Sequence, residues 1–77
     1  MSYYVTFYSH FGAMRYKKYC EQLGIKVRLM PVPRELSSSC GTCVRSENEP
    51  PVPEDFHDEI ELVVKKENAI EIIYDGR

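Results

Sequence analysis

YYVTFY, residues 3–8, is a run of aromatic and β-branched side chains with no glycine or proline to interrupt it. Side chains of these types fill the pleated, half-buried surface of a sheet, so the run predicts a first β-strand. Alternation along a strand would place Val5 and Phe7 on one face of the sheet. This strand is the first element of the predicted fold.

A helix and a second strand are predicted to follow. Ser9 or His10 can cap a helix whose apolar side chains recur at close to helical spacing, and Gly24 can end it in the left-handed conformation. Residues 25–30, IKVRLM, then alternate apolar and polar side chains. This alternation predicts a half-buried strand, which Pro31 would stop.

The second half of the chain is predicted to add a strand, a helix and a strand. Residues 42–45 form a short third strand, and residues 46–53, with three prolines, form a surface loop. The next residues are acidic, and carboxylates are stabilised at the positive end of a helix dipole. An apolar stripe follows them. A second helix is therefore predicted from about residue 54 to residue 66, and residues 70–74, IEIIY, predict a last strand.

This order predicts an α+β fold of the ferredoxin-like type, a two-layer split βαβ sandwich in which two helices cover one face of a four-stranded antiparallel sheet. Seventy-seven residues are enough for one domain only, so residues 1–77 are predicted to form a single domain. The other sheet face would be exposed and apolar, which is typical of an interface. A homodimer or a docking surface is expected there, formed by Tyr4, Thr6, Tyr8, Arg28, Met30 and Ile73.

The amino-acid composition limits the kinds of partner that the protein is expected to bind. Residues 1–45 carry seven Lys and Arg against two Glu, a balance of +5, whereas residues 46–77 carry three against ten carboxylates, a balance of −7. The overall acidity, with a pI near 5.6, argues against nucleic acid as a partner. No apolar run approaches the roughly 18 to 20 residues of a membrane span, and the start of the chain lacks the features of a signal peptide. We therefore expect a cytoplasmic protein without membrane contact.

Two of the three cysteines lie close together in residues 37–45, SSSCGTCVR. A thiol in a polar loop between two strands is typical of a reactive cysteine. Arg34 before the loop and Arg45 after it would supply positive charge that favours the thiolate of Cys40. An odd number of cysteines without a secretion signal argues against structural disulfides, so thiol chemistry is the prediction.

Two other cysteine functions fit less well. Cys-Gly-Thr-Cys has the spacing of thioredoxin-like redox sites, but those place the first cysteine at the start of a helix, and here a proline-rich loop follows. Zinc would need a second close cysteine pair, or convergence of Cys20, His10 and His57 on the first pair. No metal and no other cofactor is therefore predicted.

His10 and Cys20 are expected to have different roles. His10, at the head of the first helix, could act as a base or an anion ligand beside the loop, or simply cap the helix. Cys20 is expected to be a small buried side chain.

Residues 27–36, VRLMPVPREL, followed by SSSCG, resemble the small selenium/sulfur carrier-like proteins. The resemblance spans nearly the whole chain and is most specific over residues 33–45. It implies that Cys40 is the carrier thiol and that the partners are donor and acceptor proteins. Two features depart from the family pattern: Cys43 stands where a plain strand residue is expected, and residues 46–53 form an extended connection.

A carrier of this kind would hold sulfur or selenium on Cys40 as a persulfide or perselenide. Gly41 would remove bulk beside the sulfur, and Ser37, Ser38 and Ser39 would offer hydrogen-bond donors to the anionic group. Cys43 could act as a resolving thiol if it reaches Cys40. The alternative is a regulatory or docking module without a reactive thiol, and turnover as an enzyme is left open.

Overall fold

The structure is a computed structural model, and it describes residues 1–36 and 38–77. It contains one helix, five strands and a single 3-10 turn: β1 Ser2–Phe7, α1 His10–Gln22, β2 Val27–Pro31, β3 Thr42–Ser46, the 3-10 turn Glu54–Phe56, β4 Ile60–Lys66 and β5 Ile70–Asp75. No helix in these two ranges has both the length and the apolar composition needed to cross a bilayer. The four predicted strands and the first helix are confirmed, with ends that differ from the predicted ones by one or two residues at most. Pro31, predicted to stop the second strand, is instead its last residue and pairs with Thr42.

The strands form one sheet in the order β2-β3-β1-β4-β5, and every neighbouring pair is antiparallel. The aromatic and β-branched strand β1 lies in the middle, where it pairs with both β3 and β4. Since β1 and β2 are both antiparallel to β3, they run parallel to each other with β3 between them. The first half of the chain therefore forms a split βαβ unit, as predicted.

The second predicted helix is wrong, because residues 60–66 form strand β4. The apolar side chains of β4 enter the cores on both sheet faces: Ile60 and Val63 on one, Leu62 and Val64 on the other. A strand buried on both faces has a continuous apolar run instead of alternation, and periodicity cannot distinguish such a run from a buried helix. The predicted two-helix, four-stranded ferredoxin-like arrangement is thus replaced by one helix and a five-stranded sheet.

Helix α1 covers one face of the sheet. The hydroxyl oxygen of Ser9 accepts a hydrogen bond from the backbone N–H of Gly12 at 3.1 Å, which caps the helix as predicted. Gly24 follows the helix with φ +77°, the conformation that favours glycine. The buried side chains of α1 pack with those of β1, β3 and β4 in the main core, which contains Val5, Phe7, Ala13, Tyr16, Cys20, Val44, Phe56, Ile60 and Val63.

The other sheet face is covered by residues 32–36, which we call the strap. Val32 and Leu36 of the strap pack on a second apolar cluster formed by Tyr4, Cys43, Leu62 and Val64. Lys66 Nζ donates to Glu35 Oε1 at 2.6 Å, and this hydrogen bond raises the pKa of Lys66. The strap therefore holds to the sheet by apolar contact and by one ion pair.

Three of the six residues predicted on an exposed sheet face are not exposed. Tyr4 and Thr6 are buried and Met30 is half-buried, while Tyr8, Arg28 and Ile73 remain exposed. The proline-containing connection between β2 and β3 folds back over the sheet instead of extending into solvent. A dimer surface centred on Tyr4 and Thr6 is not accessible in this arrangement.

Candidate functional site

The Cys40 loop (residues 38–41) lies at the end of the sheet where β1 ends and β3 begins. Ser38 Oγ donates to the carbonyl oxygen of Phe7 at 3.0 Å, which attaches the loop to the end of β1. The carbonyl oxygen of Gly41 accepts from the backbone N–H of Val32 at 3.1 Å, which attaches it to the strap. The loop is thus held at both ends by neighbouring backbone.

Cys40 is half-buried and free, whereas Cys20 and Cys43 are buried. The Sγ of Cys40 donates to the carbonyl oxygen of Thr42 at 3.4 Å and lies 3.9 Å from Ser38 Oγ. The same hydroxyl oxygen accepts from the backbone N–H of Cys40 at 3.4 Å. Ser38, one of the predicted site residues, therefore contacts both the thiol and the backbone of Cys40.

The amino terminus of α1 lies beside this loop. Nδ1 of His10 is 3.3 Å from Oγ1 of Thr42, and the carbonyl oxygen of Thr42 is the partner of the Cys40 thiol. A helix amino terminus carries partial positive charge and unpaired N–H groups, both of which attract anions. The structure therefore brings the predicted residue His10 into the neighbourhood of Cys40.

Gly41 and Ser39 also form part of the loop. Gly41 has φ +74°, and a Cβ built on it would meet no atom within 4 Å. Glycine is therefore favoured there by the backbone conformation and not by lack of space for a side chain. Ser39 donates to Glu61 twice, from its backbone N–H to Oε1 and from its hydroxyl to Oε2, both at 3.2 Å. Ser37, the remaining predicted donor, lies outside the described residues.

The two arginines expected beside Cys40 are placed differently. Arg45 Nη2 donates to Ser2 Oγ at 2.8 Å, and its Nη1 is 3.9 Å from Glu47, at the opposite end of β3. Arg34 is exposed in the turn within the strap. Among residues 1–36 and 38–77, the charged side chain that is hydrogen-bonded to the loop is the acidic one of Glu61.

Sequence reasoning missed Glu61 and Thr42. Glu61 contacts Ser39 because β4 lies beside β1 in the sheet, whereas Glu61 had been assigned to a helix. Thr42 contacts His10 because α1 begins beside the start of β3. The available signal for Glu61 was its position as a lone carboxylate in the otherwise apolar run of residues 60–64.

Cys43 occupies the second core, under the strap. Its Sγ donates to the carbonyl oxygen of Pro31 at 3.8 Å. Burial raises the pKa of the Cys43 thiol to about 11, and the nearby Cys40 adds to the increase. The Cys43 side chain is therefore a thiol, not a thiolate, near neutral pH.

Cys20 and His57 lie away from the loop. Cys20 is fully buried in the main core, as expected, and this burial raises its pKa. The exposed ring of His57 is 5.5 Å from the ring of Tyr74. Throughout the described part of the chain, no three His, Cys, Asp or Glu side chains are grouped in a way that could hold a metal ion.

A comparison with protein families identified a family model that matches the chain. The family model described as "Putative Se/S carrier protein-like" matches residues 2–74, almost the whole chain and all of the Cys40 loop. The comparisons with curated proteins and with solved structures found no match.

Proposed function

We propose that this chain, which belongs to the Se/S carrier protein-like family, holds sulfur or selenium on Cys40 and passes it to an acceptor protein. The observation that carries the proposal is that the one cysteine not buried is the one in the loop at the sheet end. A carrier thiol must be reached by a donor and by an acceptor. Cys40 meets this requirement in the folded chain, whereas Cys20 and Cys43 do not.

Loading is a displacement at the terminal sulfur of a donor persulfide. The Cys40 thiolate attacks that sulfur, a new S–S bond forms, and the S–S bond of the donor breaks. The donor thiolate leaves with the electron pair and takes up the proton that Cys40 released. Cys40 then carries a persulfide. In the second transfer an acceptor thiolate attacks the terminal sulfur, a new S–S bond forms on the acceptor, the S–S bond at Cys40 breaks, and the Cys40 thiolate leaves, without net oxidation or reduction. A selenium atom would be transferred in the same way.

Three features support an anionic group on Cys40. The Ser38 hydroxyl, 3.9 Å from Sγ, can turn to donate to a thiolate or a persulfide. His10 and the amino terminus of α1 lie on the other side of Thr42 and favour negative charge there. Arg34, exposed on the strap, supplies positive charge at longer range. Ser39 directs both of its hydrogen-bond donors to Glu61, and Gly41 adds no side chain beside Cys40.

Cys43 would act as a resolving thiol only after a conformational change. Its sulfur is buried under the strap, and its raised pKa keeps it protonated near neutral pH. A disulfide with Cys40 therefore requires the strap to move first. Arg45, hydrogen-bonded to Ser2 at the far end of β3, would take part only through its charge.

A protein-docking module is the second candidate, because several large apolar side chains are exposed. They are Phe11 and Met14 on α1 and Ile70, Ile72 and Ile73 on the edge strand β5. A dimer would use exposed side chains such as these and not the covered face. A Cys-x-x-Cys redox site is disfavoured because strand β3, not a helix, follows Cys40.

Mass spectrometry after incubation with a cysteine desulfurase or selenocysteine lyase and its substrate tests the proposal. We expect a gain of one sulfur or selenium atom that Cys40→Ser abolishes. The matched variants Cys20→Ser and Cys43→Ser should retain the gain. An adduct that persists in Cys40→Ser would show that another residue is the carrier, and no adduct on the native protein, with Cys40 no more reactive than an unfolded cysteine, would favour the docking module.

A further inference from the structure

The acidic residue at the Cys40 loop is the feature that the carrier chemistry leaves unexplained. Glu61 lies on β4, and both of its carboxylate oxygens accept hydrogen bonds from Ser39, the residue directly before Cys40. Two hydrogen bonds to one carboxylate define the geometry of the contact more closely than a single hydrogen bond would. They fix the backbone of Ser39 relative to the sheet. Because Ser39 directly precedes Cys40, they also position the residue that carries the thiol.

The charge of Glu61 is not cancelled by a close cation. Across residues 1–36 and 38–77, no lysine or arginine nitrogen lies within 4 Å of its carboxylate. Arg77 is the nearby cation, but its guanidinium and its backbone N–H donate to Asp75. The pKa of Arg77 is raised first by these contacts with Asp75 and only then by the charges of Glu61 and Tyr8.

We propose that Glu61 is both the positioning residue of the Cys40 loop and a specificity determinant that disfavours anionic donors of sulfur or selenium. This inference rests on the proposed carrier function. The carboxylate that holds Ser39 also places a negative charge beside the path to the thiol. A small anionic sulfane-sulfur donor such as thiosulfate, which would transfer its outer sulfur with sulfite as the leaving group, is repelled there, whereas a persulfide presented by a neutral or basic protein surface is not. The substrate class assigned to the site is therefore a protein-bound persulfide or perselenide.

The positive groups near the loop, His10 at the amino terminus of α1 and Arg34 on the strap, do not lie within 4 Å of the Glu61 carboxylate in the described part of the chain. Nδ1 of His10 contacts Oγ1 of Thr42, the buried Cys43 is a neutral thiol near neutral pH, and the Tyr8 hydroxyl donates to the carbonyl oxygen of Gly76. Glu61 is the anionic group that touches the loop itself.

The charge effect is tested with two alkylating reagents of nearly equal size, neutral iodoacetamide and anionic iodoacetate. Both react with the thiolate of Cys40, so the ratio of their rates at one pH cancels the thiolate fraction and the accessibility. Glu61→Gln should raise the iodoacetate-to-iodoacetamide ratio about threefold at low salt, and added salt should reduce the difference. Glu71→Gln, the same change on the neighbouring strand β5 at the far end of the sheet, should leave the ratio unchanged. A ratio in Glu61→Gln equal to that of the native protein would overturn the specificity role.

The positioning role is tested by hydrogen exchange of the Ser39 amide. Glu61→Ala removes its acceptor, and protection should fall about tenfold. Glu61→Gln should restore most of it, because the amide oxygen can accept from the same N–H. Equal protection in the native protein and Glu61→Ala would refute the positioning role. Neither measurement requires a chalcogen, so these outcomes are separate from the mass gain that tests the carrier function.

Discussion

Cys40 and Cys43 are separated by only two residues, yet their side chains pack against different apolar clusters. Cys40 contacts the main core beside α1, and Cys43 lies in the second core under the strap. The chain enters β3 between them, and alternation along that strand directs Cys43 away from the helix. The two thiols therefore differ in exposure and in chemistry.

Alkylation should distinguish the two thiols directly. With a pKa of about 11, Cys43 is a thiolate in roughly one molecule in a thousand at pH 8, and it is also buried. We expect iodoacetamide to modify Cys40 more than about tenfold faster than Cys43 in the folded protein, measured by peptide mass spectrometry. In denaturant the three cysteines should react at similar rates. Faster modification of Cys43 than of Cys40 without denaturant would contradict the placement of both residues.

Shortening the strap side chain that covers Cys43 should expose that thiol. Leu36 is half-buried against the second core, so Leu36→Ala is expected to lower the free energy of unfolding by about 1–2 kcal/mol. It should also increase the alkylation rate of Cys43 while leaving that of Cys20 unchanged. Leu23→Ala, at an exposed position after α1, is the matched control and should change neither quantity. An unaltered Cys43 rate in Leu36→Ala would mean that the strap does not protect it.

A pair of glycines separates loop conformation from overall stability. Gly41 and Gly24 have nearly the same positive φ, +74° and +77°, and neither has an atom within 4 Å of an added Cβ. Alanine at either position should cost about 1–2 kcal/mol of unfolding free energy, from backbone strain alone. Only Gly41→Ala should change the alkylation rate of Cys40, because Gly24 is at the opposite end of α1 from the loop. Equal effects on Cys40 in both variants would indicate a global cause.

Stability should fall in alkaline solution because of the buried thiol. Burial first, and Cys40 second, raise the pKa of Cys43 from 9.0 to about 11. The unfolded chain releases this proton at lower pH than the folded chain, so the stabilising contribution is complete below pH 9 and is lost as the pH rises through 11. The free energy of unfolding of the native protein should decrease over this interval by up to about 2–3 kcal/mol more than that of Cys43→Ala. Parallel curves in denaturant titrations would show that Cys43 is not buried as described.

Much of the architecture was predictable because its signals are local. The Ser9 cap, the glycine that follows α1 and the aromatic strand β1 each depend on a few adjacent residues and were predicted correctly. Strand β4 was mistaken for a helix because its apolar run packs in two cores, one on each face of the sheet. Which side chains are buried there depends on the elements that cover each face.

The candidate site was likewise predictable only in part. The amino-acid sequence by itself determined that Cys40 lies in a small polar loop ahead of a strand, and the family match covers that loop. The tertiary structure alone decided that Glu61, and not Arg45, contacts it, and that Cys43 is enclosed beneath the strap. Strand pairing brings together residues that are more than twenty positions apart, and the direction of each side chain follows from which face of the sheet it occupies.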